Sequence, residues 1–263
     1  MISNLAHVDP SAKIGNNVTI MPFAFVDKNV EIGDDSVIMP YAGLFNGTII
    51  GKRNTIYCNA MIGVEPQDFH YKGDDSKVII GDDNKIRENV VIARGTYTDG
   101  ATRIGDGNFI MEKVHICHDV VINNRCVIGI GTIIAGNCFI EDEVIMSNSV
   151  VLHQNNRIGT LALIQSGCRI QKDVPPYIIT SGNPVTYHGV NAVILERKHV
   201  GDRIMRHIAN AYRLIFSSDT SLQDAVIKIE EQIPKSDEIN KIIDFVGNSK
   251  HGIIQTKFLE FNL

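Results

Sequence analysis

The segment MEKVHICHDVVINN, residues 111–124, places His115 and His118 three positions apart, with Asp119 directly after the second histidine. Two chemistries use such residues. On a helix the histidines would share a face and suggest a metal site. A single imidazole beside a carboxylate instead suits a general base, which takes a proton while the carboxylate orients the ring. The backbone that carries these residues decides between them.

The bulk of the chain narrows the partners. Its 263 residues allow one or two domains, and 44% hydrophobic with 21% charged residues is ordinary for a globular protein. A net charge of -5 supplies no cationic excess to displace counterions, which argues against nucleic acid. The opening MISNLAHVDP lacks the basic and apolar regions of a signal peptide, and no run of about 18 apolar residues predicts a transmembrane segment. Five cysteines without paired spacing fit a reducing, cytoplasmic setting better than a disulfide framework.

A period of six runs through the first two thirds of the chain. Val8, Ile14, Ile20, Val26, Ile32, Ile38, Leu44, Ile50, Ile56 and Ile62 are all branched aliphatics. The series resumes at Ile80, Ile86 and Ile92, and again from Ile104 through Ile116, Ile134 and Leu152 to Ile170. Four residues after each stands a small or short side chain, such as Ala12, Ala24, Ser36, Thr132 or Cys138. A helix repeats at 3.6 and a strand at 2, so this period fits short strands separated by identical turns.

Residues 8 to about 175 thereby resemble the hexapeptide-repeat acyltransferases. The resemblance implies a β-solenoid: a left-handed parallel β-helix, three hexapeptides to a triangular coil. Two polar stretches interrupt the period, VEPQDFHYKGDDSK (64–77) and TYTDGATR (96–103), and are expected to leave the prism as loops. After Pro175 and Pro176 the spacing becomes helical, with Thr220 or Ser221 and Ser236 or Asp237 as candidate caps. The expected organisation is a β-helix over 1–185 and a C-terminal α-helical domain over 186–263. The first part of that domain is locally basic, with Arg197, Lys198, Arg203, Arg206 and Arg213.

This register removes the helix from the opening segment. Ile110, Ile116 and Ile122 bracket it, and neither histidine occupies an interior position. With three sixes per coil, residues 18 apart lie one above the other, so His118, Gly136 and Gln154 form a column beside Asp119, Asn137 and Asn155. One column then offers a proton acceptor and a bare backbone N–H for an oxyanion, two parts that thioester acyl transfer requires.

The motifs VHICHD, AGN (135–137), LHQ (152–154), QKDVPPY (171–177) and GNP…YHGVN (182–191) are similar to those of the UDP-N-acetylglucosamine O-acyltransferases that open lipid A synthesis. IANAYRLIF and the late HGII are similar too, so the resemblance covers nearly the whole chain. It implies direct transfer of an (R)-3-hydroxyacyl chain from acyl carrier protein to the 3-hydroxyl of UDP-N-acetylglucosamine, with no cofactor and no metal. His118 matches the general base, Asp119 its orienting carboxylate and Gly136 the oxyanion donor. Asp68, Gln154, Asn191 and Arg197 match sugar-nucleotide contacts, and His115 and His153 match supporting histidines. The resemblance also implies a homotrimer with the site between subunits.

Some positions depart from that pattern. His70 stands where the family often has Lys, Lys198 where a second Arg is common, and Asn137 where a histidine is usual. Ser166 lies in the region of a Gly that limits acyl length in some relatives. His7, His188, His199 and His207 read as surface residues, and Cys126, Cys138 and Cys168 as packing residues. Two other enzymes share the repeat. N-acyltransferases acting on UDP-amino sugars carry a uridine-binding domain before the prism, whereas these repeats begin at Val8. The zinc-dependent hexapeptide carbonic anhydrases need three histidines with a longer gap than that between His115 and His118. A non-enzymatic scaffold is the reading from a third class.

Overall fold

The computed structural model describes residues 1–217 and 221–255. Most of the strands are two residues long, and together they stack into three sheets, parallel but for the last pair of the third, that form the walls of a triangular, left-handed β-helix. The first face has nine strands, from His7–Val8 to Arg169–Ile170. The second has eight, from Lys13–Ile14 to Arg157–Ile158. The third has ten, ending in Leu163–Ile164, Ile178–Ser181 and Thr186–Val190.

The six-residue period is the inward-facing position of each strand. Ile38, Leu44, Ile62, Ile92, Ile116, Ile134, Leu152 and Ile170 are fully buried, and the small residues that follow them, such as Ala42, Thr132 and Cys138, are buried at the corners. Many corners turn through a residue with φ near +60°, and half of the non-glycine residues in that region among those described are Asn or Asp, which tolerate it, such as Asn17, Asn29, Asp35, Asn59, Asp83, Asp119, Asn137 and Asn155.

Residues 18 apart pair as foreseen, His115 with Ile133 and Ile133 with Val151. Across the first excursion the offset becomes 30, as for Met61 and Val91, and across the second 24, as for Val91 and His115. Both excursions therefore insert whole repeats, and the phase of the interior aliphatics survives them. The second loop spans 94–100, earlier than the sequence suggests, because Ala101–Ile104 already forms a strand of the second face.

On the corner between the second and third faces, buried asparagines stitch the coils from which these loops depart. Asn84 N donates to Asn54 Oδ1 (2.9 Å), Asn108 N to Asn84 Oδ1 (2.8 Å), and Cys126 N to Asn108 Oδ1 (2.8 Å). Each amide also donates to the next coil, as Asn84 Nδ2 does to Gly105 O (2.9 Å).

Residues 186–190, read from sequence as the start of the helical part, form a strand antiparallel to Ile178–Ser181, so helix begins only after Asn191. The helices are α1 (Ala192–Arg197), α2 (Asp202–Ile215), α3 (Leu222–Gln232) and α4 (Asp237–Gly247). Ser221 and Ser236 cap α3 and α4, accepting from Asp224 N and Ile239 N; Thr220, the alternative cap, lies outside the described residues. Ile208, Tyr212, Ile229, Ile242 and Phe245 form the core of this part. Tyr212 donates its hydroxyl to Pro176 O (2.5 Å), and the buried Asp173 accepts from Arg157 N and Ser249 Oγ (2.7 Å each), fixing the helices to the last coils. Among the described residues no helix is long and apolar enough to cross a membrane.

Asn84→Ala would leave the Asn108 N–H and Gly105 O without these partners in a dry corner, a cost of about 2–4 kcal/mol. The expected outcome is a lower urea-unfolding midpoint at fixed protein concentration.

Candidate active site

His118 sits in the turn from the first face to the second, 7% exposed, and its ring packs against Gly136 of the next coil. A Cβ added at Gly136 would overlap the imidazole Cε1 and Nε2, so only glycine admits the ring there. The stacking is held by backbone bonds: Asn137 N donates to His118 O and Asn155 N to Gly136 O, both at 3.1 Å. The Gly136 N–H makes no hydrogen bond with any described residue. Directly above, Gln154 and His153 are exposed.

The two ring nitrogens face different groups. Nδ1 is 3.0 Å from Asp119 Oδ2 and 2.8 Å from Thr96 Oγ1. Asp119, itself at φ 57°, turns its carboxylate back onto the ring and accepts from Thr96 N at 3.0 Å. Nε2 is 3.3 Å from Asp68 Oδ2, brought over by the first loop. Asp68 Oδ1 accepts from His70 N (2.7 Å) and lies 2.8 Å from His70 Nδ1. The backbone and ring of His70, with His118 nearby, hold the Asp68 carboxyl below the usual carboxylate range.

The two loops brace one another. Thr98 Oγ1 donates to Asp74 Oδ1 (2.8 Å) and Asp99 N to Asp75 O (3.2 Å). Arg94, at the start of the second loop, donates to Tyr71 Oη (2.7 Å) and Asn46 O (3.1 Å). It borders a cleft of about 440 Å³ below the imidazole, lined also by Lys28, Phe45 and Glu65.

Not every residue singled out in the sequence reaches this corner. His115 points outward from the first face between Val91 and Ile133, and burial lowers its basicity. Asn191 is buried on the edge between the second and third faces, its amide donating to Leu161 O (3.0 Å). Lys198 lies along that same edge, in an ion pair with Glu143, which Arg125 also meets at 3.1 Å. Burial raises the Glu143 carboxyl, but these two cations outweigh it and leave a net lowering. Arg197 is exposed at the end of α1, and Ser166 is exposed on the third edge. One chain thus presents His118 on one edge and Asn191 with Lys198 on another. Among the described residues no group of three or more His, Cys, Asp or Glu side chains could hold a metal ion.

Comparison with known proteins gives this geometry a family. The chain is 39% identical over 251 residues to an acyl-[acyl-carrier-protein]--UDP-N-acetylglucosamine O-acyltransferase of Halorhodospira halophila, covering 95% of this chain and 97% of that protein. The chain belongs to the UDP-N-acetylglucosamine O-acyltransferase family. Residues 173–254 match the profile described as "Udp N-acetylglucosamine O-acyltransferase; Domain 2", and residues 11–46 the bacterial transferase hexapeptide (six repeats). Among solved structures, a UDP-N-acetylglucosamine acyltransferase from Bacteroides fragilis superposes with a TM-score of 0.95 at 47% identity, over 97% of this chain and 100% of that one. The O-acyltransferase of Moraxella catarrhalis superposes at 0.93 with 36% identity, over 96% and 99%.

Within this O-acyltransferase fold, Thr96 and Arg94 escaped the sequence reading. Both belong to the excursion, where no period marks inward positions; the break in the repeat was the available signal. Cys117, next to His118, is a half-buried thiol whose pKa burial raises, which disfavours a thiolate.

Two substitutions test the site. Gly136→Ala should displace the ring and lower kcat by on the order of 10²-fold with the circular-dichroism spectrum unchanged. Cys117→Ser should keep turnover within about twofold, the outcome expected of a thiol that forms no covalent intermediate.

Proposed function

We propose that this chain transfers an (R)-3-hydroxyacyl group from acyl carrier protein to the 3-hydroxyl of UDP-N-acetylglucosamine, opening lipid A synthesis. The observation that carries the mechanism is the His118 ring, packed on Gly136 with Asp119 at Nδ1. With a hydrogen on Nδ1 given to Asp119, Nε2 is free to take the proton of the sugar hydroxyl. The hydroxyl oxygen attacks the thioester carbon, and the carbonyl oxygen gains negative charge that the Gly136 N–H is available to meet. Collapse expels the carrier thiolate, which recovers the proton from the imidazolium. No cofactor enters this balance, because the thioester supplies the leaving group.

Asp68 Oδ2 occupies the approach to Nε2 in the ligand-free chain. An incoming sugar hydroxyl takes that place, and the carboxylate is then free to accept from another hydroxyl of the ring. Gln154, above Gly136, and His153 border the same approach, with His70 behind Asp68 and His115 on the adjoining face.

The separation of edges supports a homotrimer. Asn191, Arg197 and Lys198 serve the nucleotide only if their edge meets the His118 edge of another copy, and threefold symmetry repeats that contact three times. The planar guanidinium of Arg197 suits phosphate. The partners are then acyl carrier protein, UDP-N-acetylglucosamine and two further copies, in the cytoplasm where both substrates occur.

The test is purified protein with UDP-N-acetylglucosamine and carrier-linked 3-hydroxyacyl chains of graded length, read by product mass. His118→Ala is expected to keep the oligomer on size exclusion and to lose about 10²–10⁴ in rate. Turnover like that of the unmodified protein would sink the mechanism, and an amide-linked product would indicate N-acylation instead.

A further inference from the structure

Thr96 touches both members of the His118–Asp119 pair while lying on the side of the ring away from Asp68. It is 2% exposed, in the loop between the strands Val91–Ala93 and Ala101–Ile104. Its N–H donates to Asp119 Oδ2 at 3.0 Å, and its hydroxyl oxygen stands 2.8 Å from His118 Nδ1. The same Oδ2 is 3.0 Å from Nδ1, so both a carboxylate and a hydroxyl oxygen face that nitrogen. The loop wraps the carboxylate tightly: a Cβ at Gly95 would lie 2.8 Å from Asp119 Oδ1, and one at Gly100 3.2 Å.

We propose that Thr96 is a positioning residue for the acyl transfer, holding the His118 imidazole in the form with hydrogen on Nδ1 and so aiming the Nε2 lone pair at the sugar hydroxyl. This rests on the function proposed above. A carboxylate faces each ring nitrogen, Asp119 at Nδ1 and Asp68 at Nε2, so each favours a hydrogen on its own side; the threonine oxygen is a second acceptor at Nδ1 and tips the ring to the form with hydrogen there. The backbone N–H of Thr96 keeps Oδ2 from swinging away, so one residue fixes the carboxylate through its main chain and the ring through its side chain. The charged or titratable groups facing the ring are Asp119 on Nδ1 and Asp68 on Nε2, with His70 behind Asp68. Thr96 does not touch substrate in this arrangement and acts through His118.

Thr96→Val removes the oxygen while keeping the side-chain shape and the N–H to Asp119; Thr96→Ser keeps the oxygen. In the full-length protein, Thr96→Val is expected to lower kcat about 10- to 100-fold with KM for UDP-N-acetylglucosamine changed by less than about twofold. Thr96→Ser should recover most of the rate. Imidazole ¹⁵N NMR of histidine-labelled protein should show the His118 signals leaving the Nδ1–H pattern in the valine variant alone. The proposal is overturned by an unchanged kcat in Thr96→Val, by equal losses in the valine and serine variants, or by a tautomer pattern indifferent to the hydroxyl. The NMR readout needs no turnover: an unmodified protein inactive on these substrates, yet with a hydroxyl-dependent tautomer, would count against the proposed substrates and for the role of Thr96.

Discussion

Vertical registration of the coils is the constraint on which everything else depends. The backbone of each strand pairs with the coil above or below at the spacing of neighbouring strands, about 4.8 Å. That spacing suits an imidazole lying on a bare peptide, and it is how His118 of one coil and Gly136 of the next come to share a substrate-sized corner. A slip of one residue would turn the interior aliphatics outward, so the burial of Ile116 and Ile134 and the placement of His118 are enforced together.

The corner combines a rigid column with two braced loops. The column supplies the His118 imidazole and a free amide; the loops bring Asp68 to Nε2 and Thr96 to Nδ1. Because Thr98 and Asp74 join the loops, the groups on the two sides of the ring are mechanically linked. The nucleotide-binding candidates sit elsewhere. Lys198 and Asn191 belong to the edge where the helices join the prism, which suits a site completed between copies.

Much of this was legible in the sequence for a physical reason: the prism interior admits only aliphatics at fixed intervals, so packing writes its period directly into the chain. Once the offset of 18 was granted, the column of His118, Gly136 and Gln154 followed by arithmetic. What escaped was the bonding that no period governs. Asp68 was assigned to the sugar nucleotide, but its contact with Nε2 depends on how a loop folds back across several coils. Thr96 and Arg94 are invisible for the same reason. The strand Thr186–Val190 was hidden because its pairing is antiparallel and lies past the last hexapeptide, where the period no longer informs.

The asparagines at positions 54, 84 and 108 belong to successive layers, two of which send out the excursions, and they stand on a different corner from those loops. The height of each layer is therefore set by a seam across the prism, and the loops inherit that height without having to define it. Their lengths can change by whole repeats, as a book's margin notes can change while the binding keeps the pages aligned. The seam thus shares its corner of the triangle with Asn191 and Lys198, while the excursions leave from another.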